Sequence, residues 1–289
     1  MLDAVSSLGR TTRSLAHLRG ARVVLEPWIR AFGRSSREVE VQDFDGDLRL
    51  RLRLNEHMES RIFWFGSYSR DVLCVLGRIV RNGDVVIDVG ANIGEISLFC
   101  AKRVGPEGRV FAVEPFAPIA RRLAWHVGAN EFRNVEVIER AIGRCEGTVG
   151  LFGTRQRSPD GLYNSGLNTM FRSPQRDVPL DSVAQTTLDR LVRERSLSRV
   201  DGLKIDIEGG EMDALVGARE VLTSLRPWIV LEANGQACHD AGYGARDLLV
   251  YLRDLGYGFE RIGRLGALSA MEPTDVADFQ NVLCRPSGQ

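Results

Sequence analysis

From residue 84 onwards, short apolar runs alternate with longer segments whose apolar residues recur three and four positions apart. The short runs have the length and composition of strands, and the longer segments have the spacing of one helix face. Strands that alternate with helices predict a mostly parallel sheet covered by helices on both faces. The predicted strands of this α/β fold lie at residues 84–90, 109–115, 135–143, 202–208, 228–234, 258–263 and 280–286.

The first 83 residues follow a different pattern. Apolar residues within 1–34 recur at roughly helical spacing, which predicts two short helices that pack on the domain or pair two chains in a homodimer. Because arginines are interspersed, an amphipathic helix on a membrane surface is the alternative. Residues 37–54 alternate on both sides of Asp45-Gly46, which predicts a β-hairpin, and a further helix follows. The predicted organisation is an N-terminal region, 1–83, and a main domain, 84–289.

One interval, residues 153–180, has no clear periodicity and is rich in Gly, Ser, Asn and Pro. A loop of this length in a compact domain usually covers an active site or is disordered, and we interpret it as an active-site loop. Four arginines in it suggest an anionic acceptor, such as a nucleotide sugar, although loop arginines are usually only solvated: Arg155, Arg157, Arg172 and Arg176.

Composition and charge limit the classes of protein to be considered. Acidic and basic residues balance at 38 each, which gives no support to a nucleic-acid-binding surface. No apolar run approaches the roughly 20 residues of a transmembrane helix, and the arginine-interrupted N-terminus lacks the core of a signal peptide. The five cysteines are scattered and never form a CxxC pair, so they indicate reduced thiols in a cytoplasmic protein.

The motif DVGANIG, residues 88–94, lies where a strand gives way to a helix. Gly90 permits a tight turn and Gly94 a close helix–strand contact, while the free N–H groups of the helix favour an anion. Glu114 follows Gly94 at the end of the next strand, where an acid can bind both hydroxyls of a ribose. Together these features predict a nucleoside-cofactor pocket.

Asn92 favours S-adenosylmethionine over NAD as the cofactor. In the NAD fingerprint a glycine at this place lets the pyrophosphate approach the backbone, and a side chain obstructs it. S-adenosylmethionine has no pyrophosphate, and its carboxylate and ammonium could use the backbone of the loop and Asp88. A tight turn without any ligand is the alternative explanation of the motif.

The segments GDVVIDVGANIGEIS, VFAVEP, RAIG, TLDRL, GLKIDIEGGEMDALVGAREVL and WIVLEAN together resemble the FkbM family of S-adenosylmethionine-dependent methyltransferases. The similarity covers roughly residues 37–286 in order. It implies a class I methyltransferase fold, Rossmann-like with a seven-stranded sheet, and methylation of a hydroxyl on a sugar, glycan, polyketide-type or carrier-bound substrate. Ser69 and Arg140 depart from the residues that relatives often have, so the local contacts there stay open.

The resemblance also implies site residues. It assigns the cofactor pocket to Asp88, Gly90, Ala91, Asn92, Gly94, Glu114 and Ala141, with Ala141 beside the adenine. The strand KIDIE alternates charged with apolar residues and would end beside the reacting methyl group. An alcohol needs a base that removes its proton, and Asp206 is the first candidate and Glu208 the second. Lys204 would pair with one of these acids.

Three further residues follow or end the neighbouring strand WIVLEAN. Glu232 and Asn234 with Asp206 could supply oxygen ligands to Mg²⁺, although spacing alone does not show that they converge, and no metal is predicted. His239 is an alternative base, or a surface histidine.

Other function classes stay open at this stage. A nucleic-acid methyltransferase is disfavoured because DIEGGE lacks a Pro-Pro-aromatic platform for stacking a base. An NAD-dependent oxidoreductase is opposed by Asn92, and a non-catalytic cofactor-binding protein by the retention of both Asp206 and Glu208.

Overall fold

The computed structural model describes residues 21–33, 38–155 and 157–288, together with Gly9 and Thr12. The helices of the described chain are α1 (Ala21–Phe32), α2 (His57–Phe65), α3 (Arg70–Ile79), α4 (Glu95–Val104), α5 (Ala117–Ala129), α6 (Leu188–Glu194), α7 (Glu211–Val216), α8 (Gly235–Asp240) and α9 (Ala245–Asp254). The strands are β1 (Glu38–Phe44), β2 (Leu48–Arg53), β3 (Val85–Val89), β4 (Arg109–Val113), β5 (Val135–Ile138), β6 (Ala141–Ile142), β7 (Gly147–Gly153), β8 (Val178–Thr186), β9 (Gly202–Ile205), β10 (Trp228–Asn234), β11 (Tyr257–Ile262), β12 (Leu268–Met271) and β13 (Phe279–Pro286).

The central sheet has the strand order β12-β11-β13-β10-β9-β3-β4-β5. Strands β10, β9, β3, β4 and β5 run parallel, whereas β13 is antiparallel to both β10 and β11. Buried residues of α3, α4 and α5 cover one face, and those of α6 to α9 cover the other. The predicted α/β fold with a mostly parallel sheet is confirmed, since each of the seven predicted strands contributes to this sheet, one of them only through its first part.

The order of the strands fixes where a ligand can bind. The parallel strands β3 and β9 are neighbours at the centre, and β4 lies on the other side of β3. In open sheets of this kind ligands bind beyond the carboxyl ends of the strands, where the connections diverge to opposite sides. The segments that follow β3, β4, β9 and β10 therefore meet at one edge of the sheet.

The structure differs from the sequence-based prediction in two places. The sheet has an eighth strand, β12, which was missed because its four residues are mostly exposed and show no regular alternation. The predicted strand 135–143 is in fact two strands, β5 and β6, and β6 belongs to a separate sheet of order β6-β8-β7. The predicted loop at 153–180 is therefore shorter, because its two ends form the paired strands β7 and β8.

The N-terminal hairpin packs on the main domain. Strands β1 and β2 pair in antiparallel register around the turn at Asp45-Gly46, as predicted, and both turn residues have positive φ. The inward residues of β2, Leu48, Leu50 and Leu52, belong to the same buried cluster as residues of α4 and α5. Arg122 of α5 adds a polar link, donating a 2.8 Å hydrogen bond to the buried Glu59 of α2.

The first of the two predicted N-terminal helices lies outside the described residues, whereas α1 corresponds to the second. Its Ile29 is fully buried in the cluster that contains the hairpin, while Trp28 is exposed. Within the described chain, no helix is both long enough and apolar enough to cross a membrane.

The shared core generates a test of the predicted boundary at residue 83. Leu50 is fully buried between the two predicted regions, so Leu50→Ala should lower the free energy of unfolding by about 2–5 kcal/mol, the usual cost of such a core truncation. If the hairpin and the main domain form one folding unit, denaturant unfolding should stay a single transition that moves to lower denaturant concentration. The control is Leu265→Ala, since Leu265 is exposed. Two separate transitions, with only one shifted, would contradict a single unit.

Candidate active site

The turn after β3 is built by two residues with positive φ, Gly90 (79°) and Asn92 (49°). A Cβ on Gly90 would lie 1.9 Å from the carbonyl oxygen of Asp206, so only glycine permits this approach of β3 to the end of β9. Gly94, the N-cap of α4, also has a positive φ (97°), and a Cβ there would lie 2.4 Å from Leu123 of α5. Gly94 therefore serves the packing of two helices, whereas Gly90 shapes the edge of the sheet.

Glu114, directly after β4, is buried and faces this turn. Its Oε2 accepts a 3.0 Å hydrogen bond from the N–H of Asn92, and its Oε1 accepts a 2.9 Å bond from the N–H of Phe116. Burial outweighs these two bonds and raises the pKa of Glu114 to about 7. Because each carboxylate oxygen has two acceptor positions, both oxygens can still accept one more donor.

A cavity of about 590 Å³ opens beside Glu114. Its polar lining comes from the turn after β3, from Glu114 and Arg140, from the segment after β9 and from the loop between β7 and β8. One wall is formed by apolar side chains: Phe116, Ile119, Ile142, Leu151, Met170 and Ile207. We call it the cofactor cavity.

Two further cavities adjoin it and share Tyr68, Lys204, Asp206 and Glu232 in their walls. Their volumes are about 600 and 790 Å³. We call them together the acceptor cleft. Asp206 lines the cofactor cavity and both cavities of the acceptor cleft, so it stands where the two compartments meet.

Lys204 is a buried cation at the centre of this edge. The register of the sheet pairs it with Asp88 of β3, and its Nζ lies 3.3 Å from Asp88 Oδ1 and 3.6 Å from Asp206 Oδ2. It also donates a 2.7 Å hydrogen bond to the carbonyl oxygen of Gly90. Burial alone would lower the pKa of Lys204, but Asp88 and Asp206 outweigh it and raise the pKa above its ordinary value.

Three carboxyl groups face one another in the cleft. One oxygen each of Asp206, Glu208 and Glu232 lies within 4.8 Å of the others. Burial and then the charge of Asp206 raise the pKa of Glu232 well above its usual range. Burial also raises the pKa of Glu208 to about 8, against the effect of Arg176, whose guanidinium is 2.8 Å from Glu208 Oε2.

These three acids are the described residues that could hold a divalent cation, but the set is not the one considered from the sequence. Asn234 turns its Oδ1 to the start of α8, where it accepts a hydrogen bond from the N–H of Ala237. Its Nδ2 instead donates to Glu208 Oε2 at 3.4 Å. His239 lies on α8 with 86% of its side chain exposed and lines neither the cofactor cavity nor the acceptor cleft.

The segment 154–177 connects β7 to β8 and lies across the site. Hydrogen bonds hold it on two sides. On the β9 side, Thr169 Oγ1 donates a 2.6 Å hydrogen bond to the carbonyl oxygen of Glu208, close to the Arg176 ion pair. On the N-terminal side, Glu56 accepts hydrogen bonds from the N–H and hydroxyl of Ser165. This segment, which we call the cover loop, therefore connects the main domain to the end of the hairpin.

The loop arginines do not support an anionic acceptor. Arg155, Arg157 and Arg172 are exposed and line neither cavity system, while Arg176 is paired with Glu208. The walls of the acceptor cleft instead contain more acidic than basic side chains.

Most of the predicted cofactor residues are brought together. Gly90, Asn92, Glu114 and Ala141 line the cofactor cavity, and Ala91 lines the adjoining one. Asp88 does not line them; its Oδ2 accepts a 2.6 Å bond from Ser97. Its contribution to the site is the ion pair that its Oδ1 forms with Lys204.

Several residues at the site were not singled out from the sequence. Glu95, at the start of α4, is buried, and its oxygens accept hydrogen bonds from the N–H groups of Tyr68 and Ser69. It thereby holds the connection between α2 and α3 against the acceptor cleft. An acid in the first turn of a helix is common, so only the hydrogen bonds of Glu95 to Tyr68 and Ser69 in the structure reveal this role. The same holds for Asn168 of the cover loop, which lines the cofactor cavity.

Comparison with known proteins agrees with this geometry. The Methyltransferase FkbM domain model matches residues 88–259, more than half of the 289-residue chain. The chain therefore belongs to the FkbM methyltransferase family, and S-adenosylmethionine is its cofactor.

Relatives of this chain differ in size. The AMB antimetabolite synthetase AmbE of Pseudomonas aeruginosa is 31% identical over 268 residues, which cover 78% of this chain but only 11% of that protein. The 31-O-demethyl-FK506 methyltransferase FkbM of Streptomyces tacrolimicus is 27% identical over 211 residues, covering 66% of this chain and 78% of that one. The crystal structure of methyltransferase FkbM from Methylobacillus flagellatus KT is 15% identical, with a TM-score of 0.45, and covers 91% of this chain and 59% of that chain.

The residues present fit S-adenosylmethionine. The free acceptor positions of Glu114 suit the two hydroxyls of a ribose, and the apolar wall beside it suits a flat base. Beside the ribose end, the turn after β3 and Asp206 line the side of the cavity that adjoins the acceptor cleft, where the methionine portion would lie.

Removing the carboxylate of Glu114 should weaken the cofactor complex. We expect Glu114→Ala to raise the Kd for S-adenosylmethionine by an amount equivalent to about 1.5–3 kcal/mol, the range for hydrogen bonds to a charged group. Isothermal titration calorimetry measures this, with circular dichroism to confirm the fold. Glu107→Ala, on the exposed turn before β4, is the control. An unchanged Kd would remove Glu114 from the ribose-binding role.

The raised pKa of Glu114 adds a dependence on pH. Ribose hydroxyls donate to the ionised carboxylate, so binding is strongest above the pKa of about 7 and weakens as the pH falls through it. The Kd for S-adenosylhomocysteine should therefore rise several-fold between about pH 8 and about pH 6. Glu114→Gln, which cannot titrate, should lose this component. An equal pH dependence in both proteins would show that the cofactor's own groups cause it.

Proposed function

We propose that this methyltransferase transfers the methyl group to a hydroxyl oxygen, with Asp206 as the base. The observation that carries the proposal is the position of Asp206, whose carboxylate lines the cofactor cavity and both parts of the acceptor cleft. Its side chain is 38% exposed, so it can be reached from the cleft. For the two acids beside it, Glu208 and Glu232, burial raises the pKa.

The chemistry follows from this arrangement. When bound, S-adenosylmethionine would supply a methyl group on a sulfonium, and the sulfur would leave as the thioether of S-adenosylhomocysteine when an oxygen displaces it. An alcohol is a weak nucleophile, and Asp206 increases its reactivity by accepting the hydroxyl proton as the new C–O bond forms. Lys204, whose Nζ lies 3.6 Å from Asp206 Oδ2, orients the carboxylate of Asp206. The walls of the cleft align the acceptor and exclude water.

Glu208, the second candidate base, has a different role in this proposal. Its carboxylate is ion-paired with Arg176, and its own carbonyl oxygen accepts the bond from Thr169. Both contacts hold the cover loop. Glu208 therefore positions the loop over the acceptor, while Asp206 handles the proton.

The acceptor in this proposal is a neutral, hydroxyl-bearing small molecule, either free or attached to a carrier. An acidic cleft repels phosphates and nucleic-acid backbones, which disfavours a nucleic-acid substrate. One relative is named for acting on 31-O-demethyl-FK506, and another is a large synthetase of which this chain matches one part. These names support a natural-product hydroxyl as the substrate.

Asp206→Asn tests the assignment of the base. The amide has nearly the same size and cannot accept the proton, so turnover should fall by roughly 10²–10⁴-fold while cofactor binding persists. Turnover is followed as S-adenosylhomocysteine released with the best acceptor from a panel of sugars, polyketide alcohols and hydroxyacyl thioesters. The control is Asp254→Asn, since Asp254 has 65% of its side chain exposed. Wild-type turnover in a folded, cofactor-binding Asp206→Asn variant would refute the role.

Two further measurements separate the alternatives. If the three acids hold Mg²⁺, EDTA should silence the wild-type enzyme and added Mg²⁺ should restore it, and Asp206 would then act as a ligand. If the panel shows methylation of amines and of no hydroxyl compound, the proposed O-specificity is wrong.

A further inference from the structure

Two exposed aromatic side chains line the acceptor cleft. Tyr68 lines both of its cavities with 47% of its surface exposed, and Phe279, the first residue of β13, lines the cavity of about 790 Å³ with 59% exposed. Single exposed apolar residues need no explanation, but two aromatic side chains in the wall of one cavity supply apolar area that a ligand can cover. The carboxylates of Asp206 and Glu232 line the same cavity. It therefore offers contacts both for an apolar face and for hydroxyl groups.

The position of Tyr68 is fixed from two sides. Its N–H donates a 2.6 Å hydrogen bond to the buried Glu95, the first residue of α4, which follows the turn after β3. On the other side, its ring meets the ring of His57 edge to face, with the two centroids 5.8 Å apart. His57 Nδ1 in turn lies 2.6 Å from Asp160 Oδ2 of the cover loop. Contacts from the cofactor side and from the cover loop thus hold Tyr68 in place, as precise binding of a substrate requires.

The hydroxyl of Tyr68 is a donor without a hydrogen-bond partner among the described residues. Burial, and then the negative charges of Asp206, Glu232 and Glu208, raise the pKa of Tyr68 above its ordinary value. The hydroxyl therefore keeps its proton and lies close enough to the acids of the cleft to feel their charge. Since a tyrosine hydroxyl in a largely apolar setting usually has a partner, an oxygen of a bound molecule would complete this one.

We propose that Tyr68 and Phe279 bind the acceptor: the two rings contact its apolar face, and the Tyr68 hydroxyl donates to an acceptor oxygen other than the one that is methylated. This inference rests on the proposed function, because it takes the cleft beside Asp206 as the acceptor site. A donor on the methylated oxygen would lower its reactivity as a nucleophile, so the hydroxyl is assigned to a second oxygen. The acceptor is then a molecule with one apolar face and at least two oxygens.

Steady-state kinetics with the best acceptor of the panel tests each group. Tyr68→Phe removes only the hydroxyl, so the KM for the acceptor should rise by about 2–10-fold while kcat changes by less than about twofold. Tyr68→Leu and Phe279→Leu each remove a ring and should raise KM by about tenfold. The Kd for S-adenosylhomocysteine should stay at the wild-type value in all three variants, since neither residue lines the cofactor cavity.

Deoxy analogues of the same acceptor, each with one further oxygen replaced by hydrogen, test the assignment to a second oxygen. One analogue should raise the KM of the wild type by about 2–10-fold, because it leaves the Tyr68 hydroxyl without its partner. The same analogue should leave the KM of Tyr68→Phe unchanged, since that variant has already lost the hydrogen bond. Equal losses in the wild type and in Tyr68→Phe would refute the hydrogen bond.

Tyr251→Phe is the matched control. Tyr251 lies on α9, its hydroxyl donates a long 3.5 Å bond to the carbonyl oxygen of Leu215, and it lines neither the cofactor cavity nor the acceptor cleft, so KM should not change. A wild-type KM in Tyr68→Phe, or in both leucine variants, would overturn this inference even if Asp206→Asn is inactive and the proposed function stands. A lower kcat or a weaker cofactor complex at unchanged KM would indicate a purely structural role and would overturn it as well. Wild-type turnover in Asp206→Asn would instead refute the proposed function.

Discussion

The buried ammonium of Lys204 holds together the edge of the sheet on which the site is built. An unpaired charge at this depth would cost several kcal/mol, so Lys204 requires the carboxylates of Asp88 and Asp206 and the carbonyl oxygen of Gly90 around it. Those three groups come from the end of β3 and the end of β9. Satisfying one cation therefore fixes the distance between the turn that shapes the cofactor cavity and the acid that faces the acceptor cleft.

The same constraint distinguishes three acids that look alike in the sequence. Asp206 is close to Lys204 and partly exposed, and Glu208 is paired with Arg176. Burial, and then the charges of the neighbouring acids, raise the pKa of Glu232 well above the usual range. The charged groups next to each acid, more than the residue type, thus determine which carboxyl group is available to a substrate.

Much of the fold could be predicted from the sequence because its signals are local. Apolar periodicity identified the seven main strands, and Gly90 with Glu114 indicated a cofactor edge. What could not be predicted depends on contacts between distant segments. Asn234 was considered as a metal ligand, but its oxygen caps α8. Asn168 has the sequence context of an ordinary loop residue, and only the folded position of its loop between β7 and β8 brings it to the cofactor cavity. Strand β12 lacked a pattern because most of it is exposed.

The pairing of β7 with β8 has a consequence for how such enzymes diversify. Both ends of the cover loop are fixed to each other by a ladder that runs from Gly147–Gln185 to Gly153–Val178, so the loop can change in length with little effect on the sheet. Residues 165–170 contact the cofactor cavity and must keep their spacing, whereas the exposed part around Arg172 is under no such constraint. New acceptor preferences could therefore be grafted into this enzyme by exchanging the outer part of one loop, leaving the cofactor-binding half intact.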